Sequence, residues 1–411
     1  LGSNYRSKIF DKALMKNGSV VYLSYDGLTD SLGQSQILPY LTGLSEAGYH
    51  FTVISFEKED AFIRSGSIVN KICAEQNIKW VPLTYHKRPP VLSTLYDLLI
   101  LWRTLKKLYQ QRKIDIVHCR SYLTSLVGLR AKRKWGVKFV FDMRGFWADE
   151  RVEGGLWSLS HPVYKIVYKF FKEKEKVFLK EADNIVSLTH NAKDEIESWG
   201  LGNAPITVIS TCVDTDLFDP RKISSKGKMD LMTKLGIEHD DFVLLYLGSW
   251  GTWYLTKEML NFFTLLKERK PKAKFLIVSG DEVDKTDHPY SQDIIVTPVL
   301  RAEVPLHISL AHISVCFIKP TFSKKASAAT KMGEILSMRI PIIVNPGWGD
   351  VQWFAERDTN VLLLKDITRQ SFLSILDRLP SMKAALNSDL ADVLKLEKAI
   401  ESYKNIYVSM F

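Results

Sequence analysis

Short apolar, β-branched runs alternate along the chain with longer stretches whose apolar positions recur every three or four residues. The first run, SVVYLSY at 19–25, predicts a buried strand that opens into the polar loop DGLTDSLGQSQ. A helix follows in ILPYLTGLSEAGY, where Leu38, Leu41 and Leu44 share a face and Gly48 closes the element. FTVISF is the next strand. The alternation continues through strands at 114–119, 137–143, 184–189 and 206–210, with helices near 122–134 and 160–181. A second series has strands at 242–249, 274–280, 293–299, 313–318 and 341–345, with helices near 256–269, 303–311 and 330–338. Strands that are apolar on both faces, each followed by a helix, predict parallel sheets covered on both sides. The expected class is α/β, with two Rossmann-like, doubly wound halves.

Between the halves, TCVDTDLFDPRKISSKGK at 211–228 loses periodicity and reads as a linker. The expected domains are therefore 1–212 and 213–392, with a C-terminal helix at about 393–411 packing back on the first. Open α/β sheets bind ligands beyond the carboxyl ends of their strands, so a cleft between the two domains is the expected site.

Composition narrows the class. With 46% hydrophobic and 25% charged residues the chain is globular in character. No run approaches the roughly 18 apolar residues of a membrane span, and LGSNYRSKIF lacks the apolar centre of a secretory signal, so a cytoplasmic placement is expected. Cys73, Cys119, Cys212 and Cys316 are widely spaced in apolar surroundings and read as core thiols. Charge is uneven: residues 1–210 hold 30 Lys+Arg against 21 Asp+Glu, whereas 211–411 hold 26 against 25. Within 87–138 only Asp97 and Asp115 oppose 13 cations, which predicts a positive surface and an anionic partner. There, Leu95, Leu98, Trp102, Leu105 and Tyr109 line one helical face beside Arg103, Lys106, Lys107 and Arg112. That pattern suits an anionic membrane surface, and equally a helix packed on the core with solvated charges. No nucleic-acid-binding motif is present, so nucleic acid is not an expected partner, and there is no Walker A loop.

Three small-residue turns carry candidate chemistry. Gly33 and Gln34 lie at a strand-to-helix turn where backbone N–H groups favour an anion. In YLGSWGTWYLTKEM, Gly248, Ser249, Gly251 and Thr252 form a turn flanked by Trp250, Trp253 and Tyr254; glycine admits a ligand to the backbone, and an aromatic ring can stack on a base or simply fill the core. In ASAATKMGEILSMRIPII, Thr330 is a candidate N-cap, Lys331 would face an anion, and Glu334 could accept hydrogen bonds from the hydroxyls of a ribose. The plain alternative is an i,i+3 surface ion pair. A fourth stretch, FVFDMRGFWADERVEGG, offers Asp142, Arg144, Asp149 and Glu150 at a strand end. Arg144 suits a phosphate, and Asp149 or Glu150 could orient or deprotonate an acceptor hydroxyl; an arginine–carboxylate structural network is the alternative. Arg120 is a weaker candidate of the same kind, and His118 beside it reads as a core histidine.

Taken together these stretches resemble the retaining glycosyltransferases of family 4, whose fold is GT-B. SYDGLTDSLGQSQILPYLTGLSEAGYHFTVISFEK is similar to the N-terminal glycine loop and first helix, ITVISTCVDTDLFDP to the interdomain segment, and TKMGEILSMRIPIIVN to the donor-binding helix and strand. The resemblance implies transfer of a sugar from a nucleotide-sugar, most often a UDP-sugar, to a glycan or lipid-linked acceptor in cell-surface polysaccharide synthesis. It implies no obligatory cofactor and no bound metal. By the same resemblance Glu334 would bind ribose, Thr330 and Lys331 would lie by the diphosphate, and Gly33 would approach it from across the cleft; Arg144, where relatives often show a histidine, would add charge to the diphosphate on chemical grounds alone. Two positions depart from the family: Ala326 stands where the first glutamate of its E-x7-E motif belongs, and Ser249 where an arginine is usual, with Lys257 only roughly placed for the family's lysine. A UDP-sugar epimerase of the same architecture, or a membrane-associated protein whose site has decayed, remains compatible with the sequence.

Overall fold

A computed structural model describes residues 18–379, 390 and 393–411. The reading of the first ten residues lies outside this range, as do positions 380–389, 391 and 392 of the expected second domain. The chain forms two compact units, one ending at Ser210 and taking in Glu397–Phe411, the other Thr211–Leu396.

The first unit is built on β1 (Ser19–Ser24), α1 (Ser31–Gln36), α2 (Leu38–Glu46), β2 (His50–Glu57), α3 (Glu59–Glu75), β3 (Lys79–Thr84), α4 (Leu92–Gln111) and β4 (Ile116–Arg120). It continues through α5 (Ser121–Trp135), β5 (Lys138–Asp142), α6 (Trp147–Glu153), α7 (Pro162–Glu181), β6 (Asn184–Ser187), α8 (His190–Ser198) and β7 (Ile206–Val208). All strand pairs are parallel, in the order β3-β2-β1-β4-β5-β6-β7. Val20, Val21, Leu23, Ile116, Val117, Phe139 and Val140 are wholly buried, which is why these strands read as unbroken apolar runs. The order reverses between β1 and β4, and such a switch point opens a crevice at the carboxyl ends of its two strands.

The second unit comprises α9 (Ser225–Leu235), β8 (Phe242–Leu247), α10 (Thr256–Arg269), β9 (Ala273–Val278), β10 (Ile294–Thr297), α11 (Val304–Ile308) and β11 (Ile313–Cys316). It goes on with α12 (Thr330–Ser337), β12 (Ile342–Val344), α13 (Val351–Ala355), β13 (Val361–Leu363) and α14 (Arg369–Arg378). Its parallel order, β10-β9-β8-β11-β12-β13, puts a second switch point between β8 and β11. Two apolar layers cover the sheet: Met332, Ile335 and Leu336 of α12 lie in one, Met259, Phe262 and Phe263 of α10 in the other.

The C-terminal helix α15 (Leu396–Val408) belongs to the first unit over most of its length. Ile400 fills the space a side chain at Gly43 would need, and Tyr407 packs against Tyr49 and Phe51.

Several expectations need correction. Helix α1 begins at Ser31, inside what read as a polar loop, and Ile37 interrupts it before α2. The presumed linker 211–228 contains the start of α9, capped by the Ser224 hydroxyl on the Gly227 N–H at 3.0 Å. The stripe Leu95-to-Tyr109 is not one face: Trp102 and Leu105 are buried, whereas Leu95 is 58% exposed. The four cysteines are free and buried, as the sequence indicates.

Candidate active site

In the second unit the turn after β8 holds the candidate residues in a left-handed path, with φ of +107° at Gly248, +105° at Gly251 and +54° at Thr252. The glycine at 248 is required twice over: its φ disfavours a side chain, and a Cβ there would lie 2.9 Å from the Lys331 Nζ. Lys331 comes from the first turn of α12 and points its ammonium into this turn. It donates to the Tyr246 hydroxyl at 3.2 Å, and Tyr246 in turn donates to the Ser249 carbonyl. The Tyr254 ring stands 3.8 Å from the Nζ and the Tyr246 ring 4.4 Å. Among the described residues no carboxylate lies within ion-pair distance of Lys331, although it is only 7% exposed. Burial lowers its pKa to about 8, against the opposing pull of Cys316 and Glu334.

Glu334, one turn further along α12, is buried and takes the Arg301 guanidinium on Oε1 at 2.8 Å; Arg301 also lies over the Phe218 ring. Its Oε2 receives no protein hydrogen bond among the described residues. Sequence reasoning missed Arg301, whose only signal is a cation just beyond the end of β10. It also missed Lys324, a buried cation 3.7 Å from the Trp253 ring and two residues before the buried Ala326. The expected aromatic platform is thereby reassigned: Tyr254 covers one lysine, Trp253 another, and Trp250 packs on Tyr246 and Phe275. Thr330 is the first residue of α12 and not its cap; the cap position is Ala329, so no side chain caps this helix start.

In the first unit the carboxyl ends of β1, β4 and β5 carry a buried charged cluster. Arg120 donates from Nε to Asp26 at 3.2 Å, and Asp142 approaches His118 Nε2 at 3.4 Å and the Tyr403 hydroxyl of α15 at 3.3 Å. His118 Nδ1 meets the Tyr407 hydroxyl at 2.7 Å, so this histidine is a core residue held by hydrogen bonds. Burial would raise the Asp142 carboxyl, but Arg144, His118 and Arg120 hold it below its usual range. Burial pushes the His118 imidazole down. Arg144 has φ +56°, stands 3.8 Å from Asp142, and leaves Nε and one Nη buried with no hydrogen-bond partner among the described residues.

Other first-unit candidates are committed elsewhere. Asp149 is buried, accepting from Tyr168 at 2.8 Å and Lys172 at 2.8 Å; Lys172 also pairs with the buried Glu175. These bonds place Asp149 in a lysine–tyrosine–carboxylate network with no arginine in it, and Glu150 beside it is itself engaged. Gly33 is small because the Gly27 carbonyl oxygen would lie 2.1 Å from its Cβ, and Gln34 donates to the Thr29 carbonyl at 3.0 Å. Both shape the loop after β1.

Residues 37–217 match the family described as Glycosyltransferase Family 4. EpsD of Bacillus subtilis, named for glycosyl transfer, is 25% identical over 194 residues, 46% of this chain and 47% of its own length, so the chain spans about half of that relative. A UDP-Gal:alpha-D-GlcNAc-diphosphoundecaprenol alpha-1,3-galactosyltransferase of Escherichia coli is 24% identical over 400 residues, covering 91% of this chain and 96% of that one. Among solved structures, HepE of Anabaena in complex with UDP-glucose superposes with a TM-score of 0.69 at 12% identity, over 95% of this chain and 99% of its own. That likeness establishes the GT-B fold, with one parallel sheet in each unit. The family match ends before Lys331 and Glu334, whose chemistry therefore stands on their own geometry. Residues 37–217 of this chain thus match the Glycosyltransferase Family 4 model, and its two parallel-sheet units have the GT-B fold.

Proposed function

We propose that the protein is a retaining glycosyltransferase that takes a sugar from a nucleotide-sugar, a UDP-sugar, and passes it to a glycan or lipid-linked acceptor in cell-surface polysaccharide synthesis. The observation that carries this reading is Lys331: a buried ammonium with aromatic walls, a bare glycine beside it and, among the described residues, no carboxylate at ion-pair distance. A cation buried without a counter-charge is costly, and the cost is offset when an anion docks. The diphosphate of the donor would meet Lys331, the uncapped start of α12 with Thr330, and the backbone of Gly248, Ser249, Gly251 and Thr252. Glu334 would hold ribose hydroxyls through Oε2, its other oxygen fixed by Arg301. Lys324 stands in for the family's missing arginine as a second cation for the leaving group.

In the reaction the anomeric carbon loses its bond to the diphosphate oxygen, which leaves with the electron pair, while the acceptor oxygen bonds the same face and its proton passes to the departing diphosphate. Arg144, with two donors that have no hydrogen-bond partner among the described residues, suits a phosphate group. The relatives support the donor and acceptor classes: one is named for a UDP-sugar and a diphosphoundecaprenol-linked acceptor, and another holds UDP-glucose. The exposed Leu92, Leu95 and Leu99 of α4, continued by exposed Arg103, Lys106 and Lys107, suit an anionic membrane surface bearing such an acceptor. No described helix is long and apolar enough to cross a membrane. Incubation with UDP-glucose, UDP-galactose and UDP-N-acetylglucosamine should release UDP from at least one; absence of binding and release with all nucleotide-sugars overturns the reading.

A further inference from the structure

A second polar cluster of the first unit, at the carboxyl end of β3, plays no part in the donor chemistry. Asp97 lies in the second turn of α4 and is fully buried. Its Oδ2 accepts from the Tyr25 hydroxyl at 2.7 Å and from the His86 backbone N–H at 3.3 Å, while its Oδ1 stands 2.6 Å from His86 Nδ1. Burial, and then the bond to Asp97, holds the Tyr25 proton well above the usual phenol range. The carboxylate thus only accepts here, and the proton of the histidine ring sits on Nδ1. In the neutral form of the ring, this tautomer leaves the lone pair on Nε2.

That lone pair is presented outward. The His86 side chain is 38% exposed, and Nε2 has no partner among the described residues. Tyr96, one turn into α4 and largely exposed, sets its ring edge-on to the imidazole at 5.1 Å and 81°. Tyr85 and Tyr25 continue the aromatic surface with ring centroids 5.7 Å apart. Val91, which leads the loop into α4, has φ +67°, an unfavourable conformation for a β-branched residue that the surrounding loop must enforce. Asp97 is already satisfied by Tyr25 and the His86 N–H, so its third bond serves to fix the direction of the imidazole.

We propose that His86, oriented by Asp97 and flanked by Tyr96, is a carbohydrate-binding site of the first unit that takes a hydroxyl of the acceptor sugar on Nε2 and an apolar sugar face on the tyrosine. A fixed hydrogen-bond acceptor beside an exposed aromatic ring matches a polyhydroxylated ring, which offers O–H donors at its rim and C–H groups on its face. The position fits as well, since ligands of open α/β sheets lie beyond the carboxyl ends of the strands. This inference rests on the reading of the protein as a glycosyltransferase for its choice of acceptor, and its test needs no donor. Saturation-transfer NMR on the full chain, with the methyl glycosides of glucose, galactose and N-acetylglucosamine, should show transfer to the ring protons of at least one. In His86→Ala and in Tyr96→Ala that transfer should fall at least about fivefold, in Tyr96→Ala at an unchanged thermal midpoint because it is a surface change that leaves folding intact. No transfer in the unaltered protein, or equal transfer in both variants, overturns the proposal. Transfer without UDP release from any donor would leave this sugar site standing and remove the transferase reading, whereas release without transfer would do the reverse.

Discussion

Both units bury charge at the carboxyl ends of their strands, but they neutralise it differently. In the first unit Lys172 answers Asp149 and Glu175, and Asp142 sits among His118, Arg120 and Arg144. In the second, Lys331 is boxed by tyrosines and has no carboxylate at ion-pair distance among the described residues. A buried charge with its partner in place is mostly architecture; one without a partner is costly until a ligand supplies it. Arg144 stands between the two cases, near Asp142 yet with two donors that have no partner among the described residues.

The comparison breaks most visibly if the compensated side is attacked. Lys172→Met leaves Asp149 and Glu175 as two buried carboxylates facing each other without their shared cation, a loss of about 3–5 kcal/mol. Urea unfolding should show that loss, and at low temperature the folded fraction should keep its rate of UDP release. A stable variant that has lost turnover would instead return Asp149 to the chemistry. Lys331→Met should behave in the opposite way. Turnover should drop by roughly 10²–10³, the scale of removing one preorganised charge-stabilising group, while the thermal midpoint stays level or rises because an uncompensated ammonium has been replaced by an apolar chain. Equal losses of activity and stability would make Lys331 architectural too.

A titration sharpens the same contrast. With its pKa lowered to about 8, Lys331 is protonated below that pH and loses its charge above it. A diphosphate favours the charged form, so UDP must bring a proton with it at alkaline pH. Affinity should be level below pH 8 and weaken by about tenfold per unit above it until the pKa of the complex is reached. Calorimetry in two buffers of different ionisation heat should register proton uptake at pH 9 that Lys331→Met abolishes. A pH-independent affinity between 7 and 10 would mean the ammonium does not meet the phosphates.

How far the sequence could reach follows from where each partner lies along the chain. Buried parallel strands such as β8 are continuous apolar runs and were legible to within about two residues. β3 was not: KWVPLT is an edge strand, half exposed and interrupted by Pro82, so it shows neither the apolar run nor the freedom from proline of a central strand. Helix α9 hid for a related reason, because it buries only Leu231 and otherwise reads as polar linker. Lys331 and Glu334 were legible because they share one helix. Arg301 and Lys324 were not, since the first reaches Glu334 from 33 residues away and the second declares itself only through Trp253. The partners of Asp149 were not legible either, because Tyr168 and Lys172 arrive 19 and 23 residues later on α7.

The smallest expected effect concerns the walls of the lysine box. A ring face holds an ammonium through its quadrupole, worth about 0.5–2 kcal/mol, and the phenol oxygen has no share in that attraction. Tyr254 presents its face to Lys331 at 3.8 Å, whereas Tyr246 contributes both a face and a hydroxyl. Tyr254→Phe should therefore leave UDP affinity within about twofold, and Tyr254→Leu should weaken it roughly fivefold, by letting the ammonium leave the geometry in which it waits for the diphosphate. Tyr246→Phe should fall between the two, since it keeps the ring and loses one hydrogen bond to Lys331 and another to Ser249. If Leu at 254 binds UDP as well as Phe does, the aromatic wall does not position the cation. The glycine turn and the start of α12 would then carry the phosphate without help from the tyrosines.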